Sequence, residues 1–423
     1  VSESLGSTSW YLRMLRDSPA AAERLSQLLS SSRPMTDLLE DASASIAWLD
    51  KVADLKPLGE EALASEISSL LARHADAAEA MRAVRYLRRR ETLRTAMGWT
   101  LGIVDIEDTC AGLAAIDECT IGAALQIALR ELQSTAEESE AGETAGEQLL
   151  TRIAIIGMGR LGGAENGFGS DADVMFVHEP LEGVDEDAAQ EQAARIVNRT
   201  LALLKQPVKP PIRAERPLEV DADLRPEGKQ GAIVRSLDSY RSYYERWAET
   251  WEFQALTRAR PIAGDEALGE AFVELIDPYR YPATFTPEQV QQIRRMKARV
   301  ENERMPHGAD RTRQLKLGRG GLSDVEWLVQ LVQLRHAHAV PGLRTTSTLK
   351  ALNAAVEAGL VEAADAEILS GAWLLATKIR GGNVLRGVRQ SDTLPSGRAD
   401  LEAIARWCGY PAGSARALEE DYL

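Results

Sequence analysis

The chain has few of the residues that build disulfide frameworks and zinc clusters. Among its 423 residues there are three cysteines and five histidines. Cys110, Cys119 and Cys408 are too scattered for a disulfide framework, and the histidines show no metal-ligand spacing. The composition therefore argues against a disulfide-stabilised protein or a zinc protein, and it favours a reducing cytoplasm.

Positive charge and long apolar runs are also scarce. Lysine and arginine number 49 against 64 aspartates and glutamates, so the net charge is −15. Because proteins hold DNA and RNA mainly through cations on the phosphates, we expect no nucleic-acid partner. We see no apolar run near the roughly 18 residues of a spanning helix and no signal peptide, and so expect no membrane partner. A first residue other than Met suggests a fragment of a longer protein.

The apolar residues that are present recur mainly with helical spacing. This spacing fills residues 7–134 and returns after about residue 286. Strands are predicted only at 152–157, 173–179 and 218–224. The sequence therefore predicts an α+β fold that is mostly helical, with one small sheet domain between two helical ones.

These patterns divide the chain into four segments. Residues 134–150 include STAEESEAGETAGEQ, whose five glutamates and lack of large apolar residues predict an acidic linker or excursion. An N-terminal helical region, 1–133, precedes it. A catalytic sheet domain, 151–285, and a C-terminal helical bundle, 286–423, follow it.

Two aspartates share one face at the entrance to the second predicted strand. Side chains alternate along a strand, so Asp171 and Asp173 of GSDADVMFV point the same way. Glu219, Asp221 and Asp223 repeat the arrangement in LEVDADL. A turn and a cap would explain one such pair, but two acidic strands side by side would repel unless a cation lay between them. Oxygen ligands without histidine favour Mg²⁺ or Mn²⁺, the metals of phosphate chemistry.

Two groups of glycines precede the aspartates. Gly169 and Ser170 could offer N–H groups and a hydroxyl to a triphosphate. Upstream, Gly157, Gly159 and Gly162 form the G-x-G-x-x-G fingerprint of dinucleotide-binding proteins. A Rossmann unit needs a long helix after those glycines, whereas GGAENGFGS leaves room for about two turns. We therefore favour a glycine turn that reverses the chain, and keep an NAD(H)-binding oxidoreductase as a distant alternative.

A G-S-D-x-D motif followed by an acidic strand is typical of nucleotidyltransferases that resemble DNA polymerase β. The segments GMGRLGGAENGFGSDADVMFV, EVDADLRPEGKQGAIVRSLDSY and LKLGRGGLSDVEWLVQ are similar to the glutamine synthetase adenylyltransferase family. The resemblance implies a polymerase-β-like sheet domain flanked by helices. Members of this family carry two catalytic halves. One transfers AMP from ATP to a tyrosine of glutamine synthetase and releases pyrophosphate, whereas the other removes the AMP by phosphorolysis and releases ADP.

The resemblance also assigns roles to individual residues. Asp171 and Asp173 match the metal-binding pair of the family, and Asp221 matches its third carboxylate. Two Mg²⁺ ions there would hold the ATP phosphates and lower the pKa of the acceptor hydroxyl. Gly169–Ser170 match the turn beside the phosphates, and Arg225 matches an arginine close to the nucleotide. For Arg225, an ion pair with a nearby acid is the alternative to phosphate contact.

One position departs from the family pattern. Asp223 stands where many relatives have a basic residue, so it is either a fourth acid near the metals or a solvated residue at the sheet edge.

Two groups of arginines are given structural interpretations. Arg88–Arg90 are predicted to form a solvated basic face. Arg258 and Arg260 are predicted to lie on the surface of a helix, with a position facing the triphosphate as the alternative.

A single catalytic signature implies a single half of such an enzyme. LGSTSWYLRML, the F-G-S-D form of the motif and MGWTLGIVDIED look more like the C-terminal, adenylyl-transferring half of actinobacterial members. That half would use ATP as donor and glutamine synthetase as acceptor, with a PII-type signalling protein as a further partner. The adenylyl-removing half is the alternative.

Overall fold

Helices surround one small sheet in the computed structural model, which describes residues 8–134, 148–387 and 391–423. The predicted fold class, α+β and mostly helical, is confirmed. Most of the predicted acidic linker lies outside the described residues. The division of the chain at residues 133, 150 and 285 stays a prediction.

The helices before the sheet are α1 (Ser9–Asp17), α2 (Pro19–Ser31), α3 (Arg33–Asp41), α4 (Glu60–Arg73), α5 (Ala77–Thr100) and α6 (Ile106–Ser134). The helices that lie between strands along the chain are α7 (Gly159–Gly162), α8 (Glu186–Lys205), α9 (Leu237–Arg246) and α10 (Thr250–Leu256). Those that follow it are α11 (Glu266–Arg280), α12 (Pro287–Glu303), α13 (Leu322–His336), α14 (Thr348–Glu357), α15 (Ala363–Arg386), α16 (Arg398–Trp407) and α17 (Ala415–Tyr422).

The strands are β1 (Thr151–Gly157), β2 (Ala172–Pro180), β3 (Val220–Asp221), β4 (Val234–Ser236) and β5 (Arg260–Gly264). Their order is β3-β2-β1-β5, and β4 also pairs with β2. Strand β1 is antiparallel to β2 and β5, whereas β2 is parallel to β3 and β4. The first two predicted strands are confirmed within a residue at each end, and β4 and β5 are additional.

The third predicted strand is shorter than expected. Only Val220 and Asp221 pair with β2. The backbone N–H of Asp223 donates to the Asp221 carboxylate at 2.7 Å, which turns the chain out of the sheet. The expected alternation of Glu219, Asp221 and Asp223 on one strand face therefore fails after Asp221.

Both faces of β2 are buried. Ala172, Val174 and Phe176 pack with α6 and α8, and Met175 and Val177 pack with α9 and α11 on the opposite face. The strand therefore reads as a continuous apolar run, as expected for a sheet covered on both sides. Its acidic residues, Asp173 and Glu179, therefore lie near its two ends.

The core also includes a helix that resembles a membrane span in composition. Among the described residues, helix α6 is long and apolar enough to cross a membrane. This differs from the sequence-based expectation of no apolar run of that length. However, 72% of its apolar window is buried inside the protein. Its apolar character is explained by packing against the sheet, α5 and α8.

Helices from the N-terminal and C-terminal parts of the chain share one hydrophobic core. Trp99 of α5 stacks on Phe168 at 5.8 Å between ring centroids and on Trp407 of α16 at 6.3 Å. Phe168 precedes the Gly169–Asp171 segment directly. Both helical regions therefore anchor the loop that carries the first predicted metal ligand.

Candidate active site

The structure brings the three predicted acids together at one end of the sheet. Asp173 and Asp221 are direct partners in the parallel pairing of β2 with β3. The Ala172 N–H donates to the Glu219 carbonyl at 2.8 Å, which places Asp171 just outside the same edge. Burial, followed by the charges of Asp221 and Asp171, raises the pKa of Asp173 to about 6. Burial and Glu219 also raise the pKa of Asp171.

This crowding fits a divalent cation. Nearby cations offset the mutual repulsion of these carboxylates only in part, since the pKa of Asp171 and that of Asp173 stay raised. An all-oxygen donor set suits Mg²⁺ or Mn²⁺. Among the described residues, no group of three or more acids, histidines or cysteines converges on a metal-binding point. The Asp221 carboxylate instead accepts the Asp223 N–H. Asp171, Asp173 and Asp221 could hold a metal after a change of side-chain rotamer, and the metal site stays a prediction.

The G-x-G-x-x-G segment is a turn, as favoured above. Helix α7 is a single turn, and the chain then returns antiparallel to β1. A dinucleotide-binding unit requires a long helix and a parallel return strand, so the geometry argues against it. The turn is nonetheless part of the acidic site. Gly159 has a φ of 50°, and a Cβ at that position would overlap Oδ2 of Asp173.

We predict that Gly159→Ala lowers the nucleotidyl transfer that the family resemblance implies for this site by about 100-fold, because displacing a reacting group by about 1 Å costs that much. Gly183→Ala is the matched control. Gly183 has a φ of 79°, and a Cβ there would meet nothing within 4 Å. Both variants therefore place an alanine in the left-handed backbone region, which costs stability, but only Gly159→Ala also displaces Asp173. Transfer rates measured beside melting temperatures separate the two effects. Equal rates in the two variants would contradict the role of Gly159.

Two cations act on the acids and a third shares a small cavity with Ser170, and none of them was identified from the sequence. Lys316, in the loop before α13, opposes the raised pKa of both Asp171 and Asp173. Arg160 of α7 and Arg380 of α15 line a small cavity with Ser170. Lys316 and Arg160 occur in motifs that the family resemblance already marked. Arg380 has no comparable signal, because it comes from a helix far along the chain.

Arg160 is a buried cation that faces an acid of α13. Its guanidinium lies over the Trp373 ring at 5.5 Å and donates to the Thr377 hydroxyl at 3.2 Å. Its Nε is buried and has no hydrogen-bond partner. Burial, and then the charge of Arg380, lowers the pKa of Arg160. The Arg160 Nε lies 3.8 Å from the Glu326 carboxylate, and Arg380, which lines the same cavity, pairs with Asp392 at 2.6 Å. Both cations are therefore compensated within the fold.

The predicted phosphate-side turn is a tight loop. Gly169 has a φ of 70°, and the Gly167 N–H donates to the Ser170 hydroxyl at 3.0 Å. The turn lies between the Arg160 cavity and Asp171. Contact between Gly169, Ser170 and a nucleotide stays a prediction.

Arg225 and Asp223 organise the loop after β3. Arg225 donates to the carbonyls of Ala222, Lys229 and Gly231 at 2.8, 3.2 and 3.1 Å. The Asp223 carboxylate lies 3.2 Å from Lys229 Nζ and 3.6 Å from Arg225 Nη1. Asp223 therefore pairs with cations of its own loop. Phosphate contact by Arg225 stays a prediction.

An open cleft of about 420 Å³ lies beside this loop. Asp171, Asp221, Asp223, Arg225 and Lys229 are among the residues that line it. Asp221 is exposed there. An acceptor group could reach the acidic end of the sheet from this side.

Two interpretations of arginines were wrong. Arg258 and Arg260 do not lie on a helix surface. Arg258 is buried and pairs with Glu165 at 2.5 Å, and Arg260 lies in β5 and pairs with Glu118 at 2.5 Å. Arg88–Arg90 are likewise not a solvated face, since all three are ion-paired within the fold.

Two protein-family models match parts of the chain. Residues 22–275 match the model of the glutamate-ammonia ligase adenylyltransferase family. Residues 294–423 match the model of GlnD PII-uridylyltransferase.

Curated relatives of the whole chain carry the name bifunctional glutamine synthetase adenylyltransferase/adenylyl-removing enzyme. The protein of Leifsonia xyli is 48% identical over 100% of this chain and 40% of its own length. The protein of Streptomyces avermitilis is 47% identical over 100% of this chain and 42% of its own length. The chain therefore spans about two-fifths of the length of these relatives.

The predicted resemblance and its actinobacterial character are confirmed by these matches. The family model covers more than half of the chain, including every residue of the acidic site. The chain belongs to the glutamate-ammonia ligase adenylyltransferase family.

Proposed function

We propose that this chain transfers AMP from ATP to a tyrosine hydroxyl of glutamine synthetase and releases pyrophosphate. The observation that carries the proposal is the parallel pairing that sets Asp173 across from Asp221, with Asp171 at the same sheet edge. This arrangement concentrates carboxylates within electrostatic range of Lys316 and Arg380, and Arg160 shares a small cavity with Arg380 and Ser170. A site with both charges suits a nucleoside triphosphate and its counter-ions.

The residues divide the reaction between them. Asp171, Asp173 and Asp221 would hold divalent metal, which when bound neutralises phosphate charge and favours an ionised hydroxyl nucleophile. Arg160, Lys316 and Arg380 would bind the β- and γ-phosphates and stabilise the charge that builds on departing pyrophosphate. Asp221, exposed toward the open cleft, would lie beside the incoming hydroxyl and accept its proton. Positioning and charge neutralisation supply most of the catalysis in such transfers.

The partners follow from the family. The names of the relatives support glutamine synthetase as the protein acceptor. The match of residues 294–423 to a PII-uridylyltransferase model supports a PII-type protein as a further partner. The relatives combine transferring and removing activities, so the removing half is the second candidate. It would release ADP from adenylylated synthetase when phosphate is supplied.

One experiment separates the two candidates. The chain is incubated with α-labelled ATP, Mg²⁺ and unmodified glutamine synthetase, and in parallel with adenylylated synthetase and inorganic phosphate. We expect label on the synthetase in the first reaction and little ADP in the second. Release of ADP without label transfer would assign the removing half instead. A folded chain that does neither would contradict the proposed function.

A further inference from the structure

Helix α12 and the loop that follows it form a basic segment in an acidic chain. Residues 287–321 contain nine lysines and arginines against four aspartates and glutamates, whereas the whole chain has a net charge of −15. The helix is also mostly exposed, since Ile293 is the one buried residue among its 17, all of which the structure describes. Positive charge on an open surface attracts an acidic partner through long-range electrostatics.

Six exposed cations of this segment have no acid to neutralise them. Within residues 8–134, 148–387 and 391–423, no carboxylate oxygen lies within 4.0 Å of their nitrogens. They are Arg294, Arg295, Arg304, Arg311, Lys316 and Arg319, and we call them the α12 surface. By contrast, Lys297 pairs with both Glu301 and Asp324. The charge of the α12 surface is therefore available to a partner.

The α12 surface extends to the acidic end of the sheet. Lys316 opposes the raised pKa of Asp171 and that of Asp173, which places it near these acids. Arg311 donates to the Asn302 side chain at 3.1 Å, so the loop that carries Lys316 also lies against the end of α12. A partner bound to the α12 surface therefore lies beside the acids.

Helices α9 and α10 connect α12 to the open cleft of about 420 Å³. Arg235 pairs with Glu227, in the loop that borders this cleft, at 2.5 Å and lies over the Tyr243 ring at 5.8 Å. Tyr243 of α9 donates to the Glu252 carboxylate of α10 at 2.9 Å. Helix α10 then packs on α12. The cleft, these two helices and the α12 surface therefore form one continuous face.

A large aromatic side chain is exposed on this face. Trp247 lies between α9 and α10 and is 74% exposed. Protein interfaces are enriched in tryptophan and arginine, and truncating these residues has the largest effects on binding. An exposed tryptophan between an open cleft and unpaired arginines is therefore the composition expected of a protein interface.

We infer that the α12 surface and Trp247 dock the protein acceptor, which presents an acidic surface beside the tyrosine that is modified. This inference rests on the proposed AMP transfer and adds to it the face on which the acceptor lies. The partner is a protein because the cations continue from the loop along about 15 Å of exposed helix between Arg294 and Arg304. It is the acceptor because the same face borders the acids. A second copy of this acidic chain is the competing occupant.

The first test reverses charge on α12 without altering the helix. In Arg294→Glu/Arg295→Glu the new carboxylates lie three and four residues before Lys297 and Arg299, a spacing that supports a helix. At low salt we expect KM for glutamine synthetase to rise about tenfold or more, with kcat and KM for ATP within about twofold of wild type. Added salt should raise KM for the synthetase in the wild type and raise it less in the variant.

Arg13→Glu/Arg73→Glu is the matched control. These arginines lie on α1 and α4, both are exposed, and neither pairs with a carboxylate in the part of the chain that the structure describes. The control changes the net charge by the same amount, so its KM for the synthetase should stay within about twofold of wild type. Melting temperatures show that each variant is folded.

Trp247→Ala tests the aromatic part of the face. We expect KM for the synthetase to rise about tenfold, because an exposed tryptophan contributes mainly through its partner. Ile368→Ala is the control, since Ile368 is 69% exposed on α15 and its loss should leave KM unchanged.

Three outcomes would overturn the inference. The first is an unchanged KM for the synthetase in both Arg294→Glu/Arg295→Glu and Trp247→Ala. The second is an equal rise in KM for ATP, which would assign the cations to the nucleotide. The third is a change of oligomeric state in light scattering with unchanged KM, which would assign the face to a second copy.

Failure of the proposed function gives a different result. A folded wild-type chain that neither labels the synthetase nor releases ADP from its adenylylated form would contradict that function. If the chain releases ADP, the same KM comparison is made with adenylylated synthetase. The docking face is therefore tested for either direction of the reaction.

Discussion

Asp173→Asn is expected to lower AMP transfer by about 1000-fold or more. The substitution keeps the shape of the side chain and removes one of the charges that face Asp221 across the β2–β3 pairing. Metal-assisted charge neutralisation supplies several kcal/mol to transfers of this kind, and each 1.36 kcal/mol corresponds to a factor of ten in rate. The rate is measured with α-labelled ATP and saturating acceptor.

The same substitution should not destabilise the fold. Burial and neighbouring acids raise the pKa of Asp173, which means that the folded protein disfavours its charged form. We therefore expect the melting temperature of the metal-free variant to equal or exceed that of wild type. Asp238→Asn is the control for loss of one negative charge, since Asp238 is 85% exposed on α9. A variant that folds normally and retains most of its transfer rate would remove Asp173 from the metal site.

Glu165→Ala is expected to lower the free energy of unfolding by about 3–5 kcal/mol. The Glu165 carboxylate is buried, and it accepts from Arg258 at 2.5 Å and from the Thr348 N–H at 2.6 Å. Arg258 also donates to the Gly159 carbonyl at 3.0 Å. Removing the acid leaves a buried guanidinium and a buried N–H without their partner, and loss of one member of a buried ion pair costs about this much.

This network joins the glycine turn to helix α14, so its loss should also disturb the site. Urea unfolding measures the stability change, and Glu303→Ala serves as the control. Glu303 pairs with Arg299 at 3.0 Å, but the two side chains are 62% and 65% exposed. Exposed pairs contribute little, so we expect the control to stay within about 0.5 kcal/mol of wild type. Similar costs for the two substitutions would show that the buried network contributes no more than a surface pair.

The sequence was most informative where a short-range rule applied. The alternation of side chains along a strand predicts that Asp171 and Asp173 share a face, and the structure places both at the open end of β2. The short spacing between GMGRLGG and the next strand predicts a turn in place of a nucleotide-binding helix, and α7 is a single turn. Family motifs extended this local reasoning to Asp221.

Local rules failed where the chain reverses or packs on itself. The LEVDADL segment reads as a strand, but the Asp221 carboxylate captures the Asp223 N–H and ends the pairing. Arg258 reads as a surface residue, yet it is buried because Glu165, a distant residue, compensates its charge. Neither outcome follows from periodicity, because both depend on one specific hydrogen-bonding partner.

By itself, the sequence determined the chemical character of the site: paired carboxylates on one strand, glycines before them and a family signature. Only the tertiary structure decided which cations complete it. Lys316 comes from the loop before α13 and Arg380 from α15, and both act on the acids only after these C-terminal segments pack on the sheet. Arg160, from the glycine turn, shares a small cavity with Arg380 and Ser170. The same packing creates a cleft of about 540 Å³ beside Gly169, Ser170 and Asp171. Charge and apolar surface act through space, so residues far apart in the chain form one site only after folding.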